Sequence, residues 1–182
     1  RTKVVQTLFA MHNGSDHTAL SARKTLLNKF SRTYSLYMMM LSFADELTTY
    51  AEEQISINQK RASVLHQSYQ ANRHFVNNRI AQQIFNNRRI RNYMENEHLR
   101  WDTGMSAIEA TYKALLDAPF YKEFMSLEAP TYEEEKTLWR KIYSQLLLES
   151  EDLCSALEEM EVALDHEGWT TDIDMVITYV VK

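Results

Sequence analysis

The stretch that decides the fold runs from Leu20 to Lys60 and reads LSARKTLLNKFSRTYSLYMMMLSFADELTTYAEEQISINQK. Mostly apolar side chains recur every seven residues along it, and a second series follows three residues behind. The two series are Leu20, Leu27, Tyr34, Leu41, Thr48 and Ile55, and Phe30, Tyr37, Ala44 and Ala51. This spacing traces one seam along an α-helix. We predict a helix from about residue 16 to about residue 60, roughly 65 Å long, which serves as the spine of a bundle or as a coiled coil.

Three consecutive methionines, Met38 to Met40, lie beside this seam. Methionine is flexible and polarisable, so such a cluster forms either a soft surface for a partner or the filling of a core. The sequence favours core filling.

Composition narrows the class of protein. The chain has 182 residues, of which 45% are hydrophobic, and it contains only three Gly and two Pro. This scarcity of turn residues disfavours β-sandwiches, barrels and Gly-rich nucleotide-binding loops. A single cysteine, Cys154, excludes an internal disulfide and fits a cytoplasmic protein. No apolar run reaches the roughly 18 residues of a membrane span, so we predict no membrane association.

The remaining sequence also predicts helices. Residues 1–12 form a short helix that ends at Asn13-Gly14. Thr131 and Glu134 have the spacing of a capping box and therefore begin a helix. A further helical stripe ends at Asn86-Asn87 and comprises Phe75, Val76, Ile80 and Ile84.

The last predicted helix places Val176 and Val180 inward, with no later helix to cover them. We therefore expect a homodimer, a disordered tail, or packing of this helix back onto the long helix.

We accordingly predict an all-α fold, a helical bundle built on one long N-terminal helix. Residues 1–182 form a single helical domain in three parts. Residues 1–60 hold the first helix and the spine, residues 61–104 a basic Asn/Arg-rich segment, and residues 105–182 an acidic helical segment.

Charge is strongly segregated along the chain, although the formal net charge is only −5. From Lys60 to Arg100 there are eight basic and two acidic residues, and from Trp101 to Lys182 six basic and eighteen acidic residues. Segregation of this kind indicates a surface for a polyanion. Alternatively, the two segments face and neutralise each other.

Motifs for catalysis are scarce. Glu95 and His98 have the Glu-x-x-His spacing of di-iron bundles, but such a site needs a second motif and two further carboxylates. No nucleophile elbow or phosphate loop is present, and Cys154 lies in an amphipathic pattern typical of a packed side chain. We predict no enzymatic activity and no cofactor.

The basic segment is the best candidate for a binding function. Arg88, Arg89 and Arg91 can neutralise phosphates. On a helix Arg88 and Arg91 share a face while Arg89 lies about 100° from Arg88, so we assign the first two to RNA. Interleaved aromatic side chains can stack on unpaired bases, namely Tyr69, Phe85, Tyr93 and Trp101. The alternative is a solvated helix whose aromatic residues point inward.

The opening stretch, RTKVVQTLFA, resembles the start of NusB, the bacterial transcription antitermination factor, through Arg1, Gln6, Leu8 and Phe9. Four longer stretches resemble the enlarged N-terminal part of NusB-like proteins from Bacteroidetes. They are SRTYSLYMMMLSFADELTTYAEE (31–53), FVNNRIAQQIFNNRRIRNYM (75–94), APTYEEEKTLWRKIY (129–143) and WTTDIDMVITYVVK (169–182). The general NusB core should follow Lys182, so we expect this chain to be the N-terminal portion of a longer protein.

This resemblance implies a factor that pairs with the ribosomal protein NusE and binds boxA-type elements of nascent RNA within the transcription elongation complex. Arg1 matches the arginine of the family and is a candidate RNA contact, whereas Lys3 is added only for its charge. The alternative function is a helical protein–protein interaction scaffold that does not bind RNA.

Overall fold

The structure is a computed structural model that describes residues 2–13, 18–164 and 172–182. The predicted long helix is present as α2 (Ala19–Val64), whose 46 residues extend about 69 Å. It begins where the Thr18 side chain accepts a hydrogen bond from the Ser21 N–H. Before it, α1 (Thr2–Asn13) packs against α2. The prediction of a long N-terminal helix is therefore confirmed.

Seven shorter helices follow α2 within the described ranges. They are α3 (Arg79–Phe85), α4 (Arg88–Asn96), α5 (Met105–Asp117), α6 (Pro119–Ser126), α7 (Tyr132–Lys141), α8 (Glu151–Leu164) and α9 (Ile173–Val180). A 3₁₀ turn at Asp102–Gly104 precedes α5, and α7 continues into a π-helical segment, Ile142–Leu147. The described residues contain no strand, so the all-α prediction holds. None of these helices combines the length and the apolar character that crossing a membrane requires.

The buried face of α2 differs from the predicted seam. Burial begins at Ser35 and follows helical spacing through Leu36, Met39, Met40, Phe43 and Leu47. The seam residues Ala44, Thr48 and Ala51 are buried, but those nearer the N-terminus are not: Leu20 is 77% and Leu27 is 56% exposed. The buried stretch of α2 starts at Ser35, more than four turns after the helix begins at Ala19, so the first part of the seam lies outside the core. The three methionines lie in the core, as the sequence favoured.

α9 packs back onto α2, one of the outcomes predicted for it. Ile173, Val176 and Ile177 are all buried there. Across the same core, the Tyr143 hydroxyl donates to the Met40 carbonyl of α2 (2.5 Å). The C-terminal helices therefore cover the middle of the long helix.

The side chain of Asn78 connects the start of α3 to α7 and to the turn that precedes α3. It is fully buried, and its Oδ1 accepts from the Ala81 N–H (2.7 Å) and from the Trp139 indole N–H (3.0 Å). Its Nδ2 donates to the Phe75 carbonyl (2.6 Å). The predicted helical stripe from Phe75 to Ile84 is therefore wrong in part, because the Asn78 cap starts the helix only at Arg79 and Phe75 lies in the turn before it.

Candidate nucleic-acid interface

The arginines of the basic segment are presented by α4. Asn87 caps this helix by accepting from the backbone N–H groups of Arg89 (3.0 Å) and Ile90 (3.4 Å). Ile90 is buried and anchors the helix, while Arg88, Arg89 and Arg91 are exposed. Helical geometry puts Arg88 and Arg91 about 60° apart and Arg89 on the other flank. The structure thus brings together the two arginines that the sequence assigned to RNA.

Arg91 has intramolecular neighbours. Its guanidinium lies over the Phe85 ring, 5.6 Å from the centroid. It also attracts the Asp45 carboxylate: burial raises the pKa of Asp45, and Arg91 opposes that rise. Arg91 therefore offers less free positive charge than its exposure suggests.

Two other cations of the segment are held by acidic residues elsewhere. Arg73 forms an ion pair with Glu52 of α2. Arg79 binds Glu135 of α7 through its Nε (3.1 Å) and through its backbone N–H (3.0 Å). Among the described residues, the Arg79–Glu135 pair neutralises charge between the basic and the acidic segment, whereas Arg73 pairs with the long helix. Arg88 and Arg89, in contrast, have no side-chain hydrogen bond or ion pair to any described residue.

Two of the four candidate stacking residues, Trp101 and Tyr93, point inward. Trp101 is 2% exposed and donates its indole N–H to Ser42 (3.0 Å). Tyr93 is half-buried and shares a hydrogen bond with Ser35 (2.9 Å). Tyr69 is 41% exposed and lies near Tyr112 of α5. Of the four aromatic residues, only Phe85 is exposed beside the arginines of α4.

The structure describes Lys3 but not Arg1, the two N-terminal residues that the sequence assigned to RNA. The Lys3 Nζ lies 2.6 Å from Asp172 Oδ2, and the same oxygen accepts from the Thr33 hydroxyl (2.8 Å). This pairing ties the start of α1 to the start of α9, so the charge of Lys3 is engaged within the fold. Arg1 lies outside the described residues.

The Glu-x-x-His pair does not form a metal-binding geometry. α4 ends at Asn96, and His98 has a left-handed backbone (φ 53°), so Glu95 and His98 do not share a helix. Across the described positions, no three His, Cys, Asp or Glu side chains converge as metal ligands. The motif supplies no ligand set.

A cavity of about 330 Å³ lies beside α4, and the sequence did not reveal it. It is formed where α2, the end of α3, α4 and the turn after α4 meet. Its charged lining residues are Asp45, Glu46, Arg91, Arg100 and Asp102. Asp45 and Glu46 are two acidic residues within LSFADEL (41–47), a stretch otherwise made of apolar or small residues. This pair was the sequence feature that could have indicated a site here.

The arrangement can bind a polyanion at α4 and a smaller group in the adjacent cavity. Exposed arginines neutralise phosphates, and Phe85 offers an aromatic face. Comparison with known protein families, curated proteins and solved structures finds no match to this chain. The function is therefore inferred from the residues themselves.

Proposed function

We propose that this chain is the RNA-binding part of a NusB-type transcription antitermination factor. It acts in the cytoplasm without enzymatic activity, binding boxA-type RNA together with NusE in the elongation complex. The sequence support is the resemblance of Arg1–Ala10 and of the four longer stretches to NusB-like proteins.

The observation that carries the proposal is the state of Arg88. It is exposed on α4, shares a face with Arg91, and has no acidic partner among the described residues. Other cations of the same segment, Arg73 and Arg79, are neutralised. The exposed Phe85 ring lies against the guanidinium of Arg91, which shares this face with Arg88. An exposed arginine pair next to an aromatic ring fits a single-stranded nucleic acid, whose backbone is anionic and whose bases stack.

The test is the salt dependence of RNA binding by the double variant Arg88→Ala/Arg91→Ala. Each phosphate contact to a single strand contributes about 0.7 to the slope of log K against log salt, so the slope should fall by about 1.4. Arg89→Ala is the matched control for each single substitution, Arg88→Ala and Arg91→Ala, because it removes one positive charge from the other flank of α4. A slope that falls equally in the control would show a general charge effect, and an unchanged slope in the double variant would refute the assignment.

A second function, the protein–protein scaffold, is favoured by a separate observation. The beginning of α2 presents a stripe of exposed apolar side chains with seven-residue spacing, formed by Leu20, Leu27 and Tyr34 with Phe30 between them. Arg23, Lys24 and Lys29 flank it. A heptad stripe fits another helix, and the basic flanks favour one with acidic edges over a second copy of the same surface.

Leu27→Asp tests the scaffold proposal, because it places a charge in the stripe outside the core. Binding of an acidic amphipathic helix should be lost while RNA binding is kept. Light scattering of the unmodified chain separately tests the homodimer. A dimer that Leu27→Asp converts to monomer would show that the stripe is covered by a second copy instead.

A further inference from the structure

The cavity beside α4 is lined by both acidic and basic side chains. Its carboxylates come from α2, Asp45 and Glu46, and from the turn at Asp102. Its arginines, Arg91 and Arg100, are exposed, as is Asp102, whereas Asp45 and Glu46 are half-buried. The apolar walls include Ile84, Phe85, Met94 and Met105. Its volume of about 330 Å³ lies in the range of about 300–1,000 Å³ typical of small-molecule sites.

The two carboxylates of α2 have different surroundings. Asp45 lies close enough to Arg91 for that cation to lower its pKa against the effect of burial. Glu46 has no such cation; burial, Asp45, Asp102 and Glu53 all raise its pKa. No described residue donates a side-chain hydrogen bond to Glu46. Of the two carboxylates of α2, Glu46 is thus the one that has neither a donor nor a neighbouring cation among the described residues.

These features describe a ligand with two unlike ends. The inner end must donate hydrogen bonds to a carboxylate, and the outer end must be anionic to suit the arginines. A lysine or arginine side chain of a protein partner fits the carboxylate but is repelled at the opening. A nucleotide has its phosphate outside and its base inside, and bases without a paired strand are read on their Watson–Crick edge.

Among the four RNA bases, guanine alone presents two adjacent donors on that edge, N1–H and the N2 amino group. Two parallel N–H bonds to one carboxylate form the bidentate arrangement that gives charge-assisted hydrogen bonds their strength and specificity. Adenine and cytosine offer one amino donor beside an acceptor that would face the carboxylate, and uracil offers one N–H between two acceptors.

We infer that this cavity accepts one unstacked guanine of a single-stranded RNA. Glu46 accepts from guanine N1–H and N2–H, Phe85 borders the base, and Arg91 and Arg100 neutralise the flanking phosphates. The inference rests on the proposed RNA-binding function and adds a base preference to it, since phosphate contacts alone position RNA without reading its sequence.

The experiment measures binding of the 182-residue chain to a short oligouridine that carries one central guanine. Matched strands replace that guanine by inosine, which lacks only the N2 amino group, or by adenine. A hydrogen bond to a charged group accounts for about tenfold or more in affinity, so guanine should bind at least about tenfold tighter than adenine, with inosine between them. Free guanosine monophosphate should compete only weakly, because it lacks the flanking phosphates.

Glu46→Gln keeps the shape of the side chain and removes its charge. It should bring the guanine-to-adenine ratio close to one while leaving the salt slope unchanged. Glu53→Gln is the control: it is an exposed glutamate of the same helix outside the cavity lining, and it should keep the ratio.

The outcomes separate the two proposals. Salt-dependent RNA binding without guanine preference, or with a preference that survives in Glu46→Gln, overturns the guanine site and leaves the RNA-binding function intact. Absence of RNA binding overturns both. Competition by guanosine monophosphate as strong as that by the oligonucleotide overturns the assignment to RNA in favour of a free nucleotide.

Discussion

Replacing Asn78 by Ala tests how the fold positions the candidate interface. The Asn78 side chain caps α3 through the Ala81 N–H (2.7 Å) and receives the buried indole N–H of Trp139 in α7 (3.0 Å). α3 carries Phe85 at its last turn and leads directly into α4. The Asn78 side chain therefore helps to position α3, and with it Phe85.

The magnitude follows from the bonds that are lost. Removing an N-cap costs about 1 kcal/mol. Leaving the indole N–H of Trp139 buried without a partner costs about 1–3 kcal/mol, and the Phe75 carbonyl also loses its donor. We expect the free energy of unfolding of Asn78→Ala to fall by about 2–4 kcal/mol.

Asn87→Ala is a matched control within the same structure. Asn87 is also an N-cap, for α4, but it is exposed and bonds only backbone N–H groups of its own helix. Its loss should cost about 1 kcal/mol. Urea unfolding followed by circular dichroism measures the free energy of unfolding of both variants. The values can be compared when the slope of that free energy against urea concentration is the same. If Asn78→Ala costs no more than Asn87→Ala, the bonds that reach α7 contribute nothing and the reasoning fails.

Three further changes test the packing and the cavity. Leu47→Ala should lower the free energy of unfolding by about 2–5 kcal/mol because Leu47 is fully buried. Leu41→Ala should lower it clearly less, because Leu41 is partly exposed. Equal decreases in urea melts would contradict the burial pattern of α2. Gly104→Ala should lower the melting temperature, because a Cβ there would lie 2.7 Å from Cε3 of the buried Trp101 ring and would also meet Met160 Cε; an unchanged melt would show that these side chains move aside freely. Glu46→Gln should raise stability at pH 7, with the gain shrinking as the pH falls toward the ordinary glutamate range; a constant or reversed difference across pH-dependent melts would contradict it.

The sequence was enough to predict the fold class because the evidence for it is local. The apolar spacing from Leu20 to Lys60 and the scarcity of Gly and Pro both require long helices. It was harder to predict which face of α2 is buried. α2 carries two apolar stripes, one through Leu27 and Tyr34 and one through Met39 and Phe43. Which stripe is covered depends on where the other helices lie along α2, and spacing within one helix does not contain that information.

In the candidate site too, spacing along one helix was predictive and the packing between helices was not. Arg88 and Arg91 were predictable as a pair because three residues separate neighbours on a helix face. The cavity beside them was not, because its walls come from residues as distant in sequence as Ser42 and Met105. Trp101 was misassigned for a similar reason, since its indole is enclosed by the Ser42 and Phe43 side chains of α2. Composition identified the basic segment, but only tertiary contacts separate its free side chains from its buried ones.

Glu46 connects stability to the proposed recognition. Its folded-state pKa is raised by burial first and then by Asp45, Asp102 and Glu53, so the folded protein binds a proton more tightly there than the unfolded chain does. At neutral pH the ionised carboxylate therefore opposes folding, and acidification through the raised pKa relieves that opposition. A guanine that donates two hydrogen bonds would stabilise the same ionised form and lower the pKa again. Binding and ionisation are then reciprocal: the base binds best to the charged carboxylate, and the bound base removes the destabilisation that the free protein carries. An isosteric amide at this position gains stability because it gives up that charge, and it loses guanine discrimination for the same reason.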